Sequence, residues 1–203
     1  MGGLFNPEGK FAQYGGKLWD LIWLNILVIV CMLPVITMGA ALSAMHYILL
    51  KIYCNEEGNI TSSFFKAFRD NFKQATAISL MCSVTVYLLI VSTGIAVSLQ
   101  MGILKYFLLV MLALICGVWN WSLIFQSRYR NTVLKTIRFG IMATLAHPLR
   151  SILMTIMFIL PVALMIAGTE NFIIVILVGF TMPGFVQVIM YHSVFQKLET
   201  PSE

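Results

Sequence analysis

Few side chains in this sequence could carry chemistry, because only 10% of its 203 residues are charged. The first long apolar segment contains the polar residues Asp20, Asn25, Ser43 and His46. A polar or ionisable group within a membrane-spanning helix is a functional-site hypothesis by default, so these four form a candidate intramembrane polar site. A structural role competes with it. Asp20 can pair with Lys17 one turn away, and the other three can make ordinary hydrogen bonds between helices.

Enzyme signatures are missing from the sequence. It has no paired carboxylates, no serine nucleophile elbow, no His-Glu-x-x-His and no glycine-rich phosphate loop. The four cysteines lie far apart in or beside apolar segments, which is typical of buried thiols. We therefore expect no catalytic residue, no metal site and no cofactor. The cysteines are Cys31, Cys54, Cys82 and Cys116.

The composition predicts one integral membrane domain over residues 1–203. Hydrophobic residues make up 60% of the chain and the mean hydropathy is +0.91. Soluble domains carry about 25% charged residues, far more than this chain. The net charge of +5 would suit nucleic acid, but the basic residues lie between apolar segments, where they orient a membrane protein instead. The expected partner is therefore the lipid bilayer, and nucleic acid is not expected.

The apolar runs predict an all-α, polytopic transmembrane bundle of about six spans. The first run, 18–50, is too long for one span, and Pro34, Thr37 and Gly39 interrupt it. We expect two short helices, 18–33 and 37–53, with Thr37 capping the second. The alternatives are a re-entrant pair or one kinked span, and a single span reduces the total to five. The later spans are predicted at 74–97, 104–125, 149–167 and 172–195.

Two basic, amphipathic stretches between the spans predict interfacial arms, at 54–74 and 128–148. The first arm repeats phenylalanine every fourth residue and places basic residues on its other side, as in helices that lie on a bilayer surface. The positive-inside rule then predicts that both arms and the C-terminus are cytoplasmic. Residues 1–17 are expected at the interface too. The arm residues that we expect to contact the bilayer or a partner protein are Phe64, Phe65, Phe68, Arg69, Asn71, Phe72, Lys73, Arg138 and Arg150.

Several strings resemble the YesL-like family of bacterial membrane proteins. They are LFNPEGKF at the start, LPVITMGAALSAMHY at the first break, NEEGNITSSFFKAFRDNFKQAT in the first arm and HPLRS after the second. The resemblance runs over nearly the whole chain. It implies a membrane protein without an established activity, associated with carbohydrate uptake and sensing, and it supplies no catalytic residues.

Two functions from different classes follow from these features. The first is a non-enzymatic accessory or regulatory subunit of the cell membrane, which docks a permease, a sensor kinase or a second copy of itself through the arms. The alternative is a small-solute transporter or channel whose pathway is lined by the broken segment 34–39. A continuous polar tunnel favours transport, whereas a sealed bundle with an exposed aromatic and basic face favours docking.

Overall fold

The computed structural model describes residues 10–56, 58–129 and 131–199, and every regular element within them is helical. This confirms the all-α prediction for the described part of the chain. Residues 1–9 of the expected interfacial segment lie outside it, whereas residues 10–17 begin the first helix. The helices are α1 (Lys10–Met32), α2 (Met38–Cys54), α3 (Ile60–Ser98), α4 (Gly102–Arg128), α5 (Val133–Ala146), α6 (Pro148–Ala167), the short α7 (Phe172–Ile174) and α8 (Thr181–Glu199).

The lengths and apolarity of these helices indicate a membrane protein. Among the described residues, five helices are long and apolar enough to cross a membrane, or up to six if the bent pair formed by residues 172–179 and 181–196 is one span. Most of their large apolar side chains outside the core are exposed, as lipid-facing side chains are. Five or six helices are therefore long and apolar enough to span, and the number that do span stays a prediction.

The first apolar run is an antiparallel pair, not one kinked helix. Lys17 Nζ near the start of α1 donates to Asn55 Oδ1 just after α2, at 2.6 Å. The turn between the helices contains Pro34 and a short 3₁₀ segment, Val35–Thr37. Thr37 does not cap α2 with its side chain as expected, because its hydroxyl donates to the carbonyl oxygens of Cys31 and Pro34. The Cys31 carbonyl lies in the last turn of α1, where the helix itself supplies no donor for it.

The first arm and the span that follows it are one helix. We expected a boundary near Gln74, but α3 continues through it for 39 residues, or about 58 Å. No glycine or proline interrupts the sequence between Ile60 and Thr93, so nothing in it ends the helix earlier. The N-cap of α3 is Asn59, since Asn59 Oδ1 accepts from the Ser62 amide at 3.1 Å. The position of this helix relative to the bilayer stays a prediction.

Glycine lets α2 lie directly against the first half of α3. A Cβ atom at Gly39 would overlap the Ala75 carbonyl oxygen and the Ser79 side chain. Further along this pair, Phe64 is fully buried in the core. The second half of α3 has less cover: beyond Cys82, Ala96 is the one described residue of this helix that is buried. This half leaves a broad apolar surface.

The second arm contains a separate helix, α5, whose small polar face is the buried one. Thr136, Gly140 and Thr144 are buried against α4, while Leu134 and Leu145 are 78% and 65% exposed. A Cβ at Gly140 would lie beside the Ser122 hydroxyl and the Val118 carbonyl of α4. α5 ends at Ala146 and α6 begins at Pro148, within a residue of the predicted boundary between the second arm and the next span.

The last predicted span, 172–195, is not one straight helix. After α7 the chain forms a π-helical segment, Val175–Gly179, and bends by 42° before α8. Pro183 contributes to this break because it has no N–H to bond the Gly179 carbonyl. A polar side chain from α1, that of Asn25, bonds both sides of the break.

Candidate functional site

Asn25 connects α1 to the break in the last helix. Its Nδ2 donates to the carbonyl oxygens of Val175 and Ile176 at 2.8 and 2.7 Å, and its Oδ1 accepts from the amides of Phe180 and Thr181 at 2.9 and 3.1 Å. The side chain is fully buried. All four hydrogen-bonding positions of the amide are therefore used. Asn25 caps two helix ends at once, and this role is structural.

The four residues of the predicted intramembrane polar site have separate surroundings. Asp20 is half-buried and borders a shallow concavity with Trp19, Trp23 and Thr61, at the end of α1 that faces the α2–α3 connection. The Trp23 indole donates to the Thr61 hydroxyl there, at 2.9 Å. Asp20 thus lies at one end of the bundle, whereas Asn25 lies at the helix break.

Ser43 and His46 do lie in the interior of the bundle. Both are buried on α2, and the ring of Tyr191 on α8 packs edge-on against His46 at 6.1 Å. Among the described residues, Ser43 Oγ and His46 Nδ1 have no hydrogen-bond partner. Buried polar atoms usually have a hydrogen-bond partner. Of the four predicted residues, Ser43 and His46 are therefore the ones for which a functional role remains a hypothesis.

The amides of Asn120 and Gln187 add to this interior polarity. Asn120 on α4 and Gln187 on α8 are buried, and both donate to the Met154 carbonyl oxygen of α6, at 3.0 and 3.1 Å. The oxygen atoms of both amides have no partner among the described residues. Gln187 was missed from the sequence because a lone glutamine in a long apolar run carries no spacing signal.

The first half of the predicted helix break, residues 34–36, is exposed. Leu33, Val35 and Ile36 beside it are 64–78% exposed, and Pro34 is exposed too. The break is a turn between two antiparallel helices, so it lies at an end of the pair. Gly39, which follows it, is buried by the contact with α3.

The first-arm residues divide into a buried and an exposed face of α3. Phe64, Phe68 and Phe72 form a ladder of ring contacts, with centroids 6.2 and 5.6 Å apart, and pack on the core. The buried Asn71 lies on the same inward side. Phe65, Arg69 and Lys73 are exposed beside an open groove of about 830 Å³.

The basic residues predicted for the second arm lie apart from this groove. Arg138 is exposed on α5. Arg150 is half-buried at the start of α6, and its guanidinium donates to the Ser193 hydroxyl of α8 at 3.2 Å. Arg150 therefore joins two helices, whereas Arg138 stays at the surface.

A second, polar cavity of about 360 Å³ lies where the end of α2, the start of α3 and the end of α4 meet. Among the described residues, its basic lining residues are Lys51, Lys66 and Arg128, and its acidic one is Asp70. They come from three helices separated by up to 77 positions, so sequence spacing could not assemble them. Its other lining residues are Tyr47, Ser63, Ala67, Asn71, Gln126, Ser127 and Tyr129.

Buried amides form the floor of this polar cavity. Gln126 Nε2 donates to Gln74 Oε1 at 2.6 Å and to Asn71 Oδ1 at 3.4 Å, while Gln126 Oε1 accepts from the Thr136 hydroxyl at 3.2 Å. Gln126 thereby links α3, α4 and α5. The cavity wall is held by an interhelical network rather than by loops.

Comparison with known proteins gives a match to a family model. A family model described as "Protein of unknown function, DUF624" matches residues 21–93, from α1 into the second half of α3. No curated protein and no solved structure matches the chain. The matched segment contains Asn25, Ser43, His46 and the groove residues of α3. The chain is thus similar over about a third of its length to a family of unknown function, and the YesL-like name stays a resemblance.

Proposed function

We propose that this protein is a non-enzymatic, multi-pass subunit of the cell membrane that docks a partner through the groove on the first half of α3. The main observation that supports this proposal is the exposed side of α3. Phe65 is 48% exposed, whereas its neighbour Phe64 is fully buried. Exposed Arg69 and Lys73 flank the same groove. An aromatic side chain next to guanidinium and ammonium groups suits a partner surface with acidic and apolar character.

The orientation and biological setting of the proposal come from the sequence. The positive-inside rule favours a cytoplasmic position for the start of α3 and for the C-terminus. The resemblance to the YesL-like family supports an accessory or regulatory role in carbohydrate uptake or sensing. The partner would then be a permease or a sensor kinase, with a second copy of this chain as the other option.

Reversing the charge of the groove is expected to remove the docked partner. The double variant Arg69→Glu and Lys73→Glu replaces two cations with two anions on an exposed surface, so the fold should persist while an acidic partner is repelled. We expect at least a tenfold loss of a permease or sensor kinase that copurifies with the wild-type chain from its native membrane. Quantitative mass spectrometry measures this loss.

The matched control is Lys105→Glu, which reverses a charge near the start of α4, away from the groove. It should leave copurification unchanged. Docking through α3 is wrong if the wild-type chain copurifies with neither class of partner, or if the control loses the partner as fully as the double variant does.

A second candidate function, transport of a small solute, is favoured by the interior polar atoms of Ser43, His46, Asn120 and Gln187. Water along a pathway would supply partners for these buried polar atoms, which have none among the described residues. If the protein transports a solute, we expect Ser43→Cys to react with a water-soluble thiol reagent. The variant is made in a protein whose four native cysteines have been replaced. The exposed Ser98→Cys serves as the positive control. If Ser98→Cys is labelled and Ser43→Cys is not, the result favours a sealed bundle.

A further inference from the structure

Helix α5 runs back along the last part of α4 and presents its other side outwards. The Thr136 hydroxyl donates to Gln126 Oε1 at 3.2 Å, close to the end of α4. Further along α5, the Thr144 side chain lies beside Gly117, near the middle of α4. α5 therefore begins level with the end of α4 and ends level with its middle.

The exposed side of α5 changes character in this direction. Near the end of α4 it carries two exposed cations, Lys135 and Arg138. Towards the middle of α4 it carries Ile141, Met142 and Leu145, which are also exposed. Because α4 is long and apolar enough to cross a membrane, this change matches the change from lipid headgroups to acyl chains.

Two more apolar side chains, Leu134 and Phe139, are exposed in the same half of α5 as the cations. In water this mixture would leave large apolar surfaces hydrated. At a bilayer the apolar side chains enter the lipid, and the long Lys and Arg side chains extend from it to the level of the phosphates. A lipid surface therefore suits this side of α5 better than water does.

The two cations of α5 have no acidic neighbour along the chain. The sequence contains no aspartate or glutamate between Asp70 and Glu170, so α4, α5 and α6 carry none. Within the part of the chain that the structure describes, neither Lys135 nor Arg138 has an ion pair. The balancing anion therefore comes from outside the chain, and an anionic phospholipid supplies apolar contacts as well as charge.

We propose that the exposed side of α5 binds anionic phospholipid in the leaflet next to the end of α4. Lys135 and Arg138 pair with the headgroups, while Ile141, Met142 and Leu145 contact the acyl chains. None of these five residues lines the groove on α3. The lipid site is therefore separate from the proposed docking of a partner protein.

Photoreactive phospholipids test this contact in the purified full chain. The chain is reconstituted in phosphatidylcholine vesicles with a small fraction of a probe that has a photoreactive acyl chain, either phosphatidylglycerol or phosphatidylcholine. After illumination, mass spectrometry counts the lipid adducts on residues 131–150. Because two cations attract the anionic headgroup, we expect phosphatidylglycerol to label this segment roughly threefold to tenfold more than phosphatidylcholine at about 0.1 M salt.

Variants and salt connect this preference to the two cations. Lys135→Gln with Arg138→Gln should make the two probes label the segment equally. The matched control Lys105→Gln removes a cation near the other end of α4 and should retain the preference. In the wild-type chain, about 1 M salt should at least halve the preference because it screens exposed charges. The salt measurement does not depend on the folding of any variant.

Three results would overturn the proposal. The first is equal labelling of residues 131–150 by both probes in the wild-type chain. The second is a preference that persists both in the folded double variant and at high salt. The third is a segment that stays unlabelled while the exposed apolar residues of α3 beyond Cys82 are labelled, since α5 would then face water or another protein. The vesicles contain no partner protein, so none of these results bears on docking through the groove.

Discussion

The variant Asn25→Leu is expected to lower the free energy of unfolding by roughly 3–5 kcal/mol, at about 1 kcal/mol for each of four lost hydrogen bonds. Leucine has nearly the same shape as asparagine, so the loss does not come from a cavity. It comes from stranding two carbonyls and two amides at the break between Val175 and Thr181. Unfolding in an SDS titration measures the change.

A matched control shows whether the loss of stability is specific to Asn25 or would follow from replacing another asparagine. Asn171→Leu removes one hydrogen bond, from Asn171 Nδ2 to the Leu164 carbonyl at 3.2 Å, in a partly buried turn. It should cost no more than about 1 kcal/mol. Hydrogen exchange gives a second measurement, because the amides of Phe180 and Thr181 should exchange faster in Asn25→Leu. If the two variants lose equal stability, Asn25 does not hold the break.

The second large effect is expected at the contact between α2 and α3. Gly39→Ala adds a single methyl group, but that methyl would overlap the Ala75 carbonyl oxygen and the Ser79 side chain. Because a backbone carbonyl cannot rotate away, the helices must separate. Overpacking of this kind costs about 1–3 kcal/mol and sometimes more. Thermal unfolding in detergent should show the loss as a lower Tm.

Gly94→Ala is the natural control for this substitution. Gly94 lies inside α3, and no atom comes within 4 Å of a Cβ placed there. Alanine is the better helix former, so this variant should be stabilised by about 0.5–1 kcal/mol. The same chemical change is thus predicted to have opposite signs at two helical positions. A stabilised Gly39→Ala would show that α2 and α3 do not lie in direct contact.

The sequence by itself determined the helices and most of their ends. Its apolar runs are long enough to span a bilayer, and Pro34 and Pro148 mark boundaries because proline cannot continue a helix. Glycine at positions 39 and 140 permits close helix contact, although only the neighbours decide whether that contact forms. The boundary expected near Gln74 was wrong, because an amphipathic pattern can change to an apolar one without any change in backbone conformation.

Only the tertiary structure decided which polar groups meet. Asn25 bonds backbone atoms some 150 positions away, and Lys51, Lys66 and Arg128 converge from three helices. Periodicity describes one helix at a time and says which residues share a face. It cannot say which face of which other helix lies opposite, because that depends on crossing angles set by side-chain packing over the whole bundle. Lone polar residues in apolar helices therefore acquire a role only when their neighbours are known.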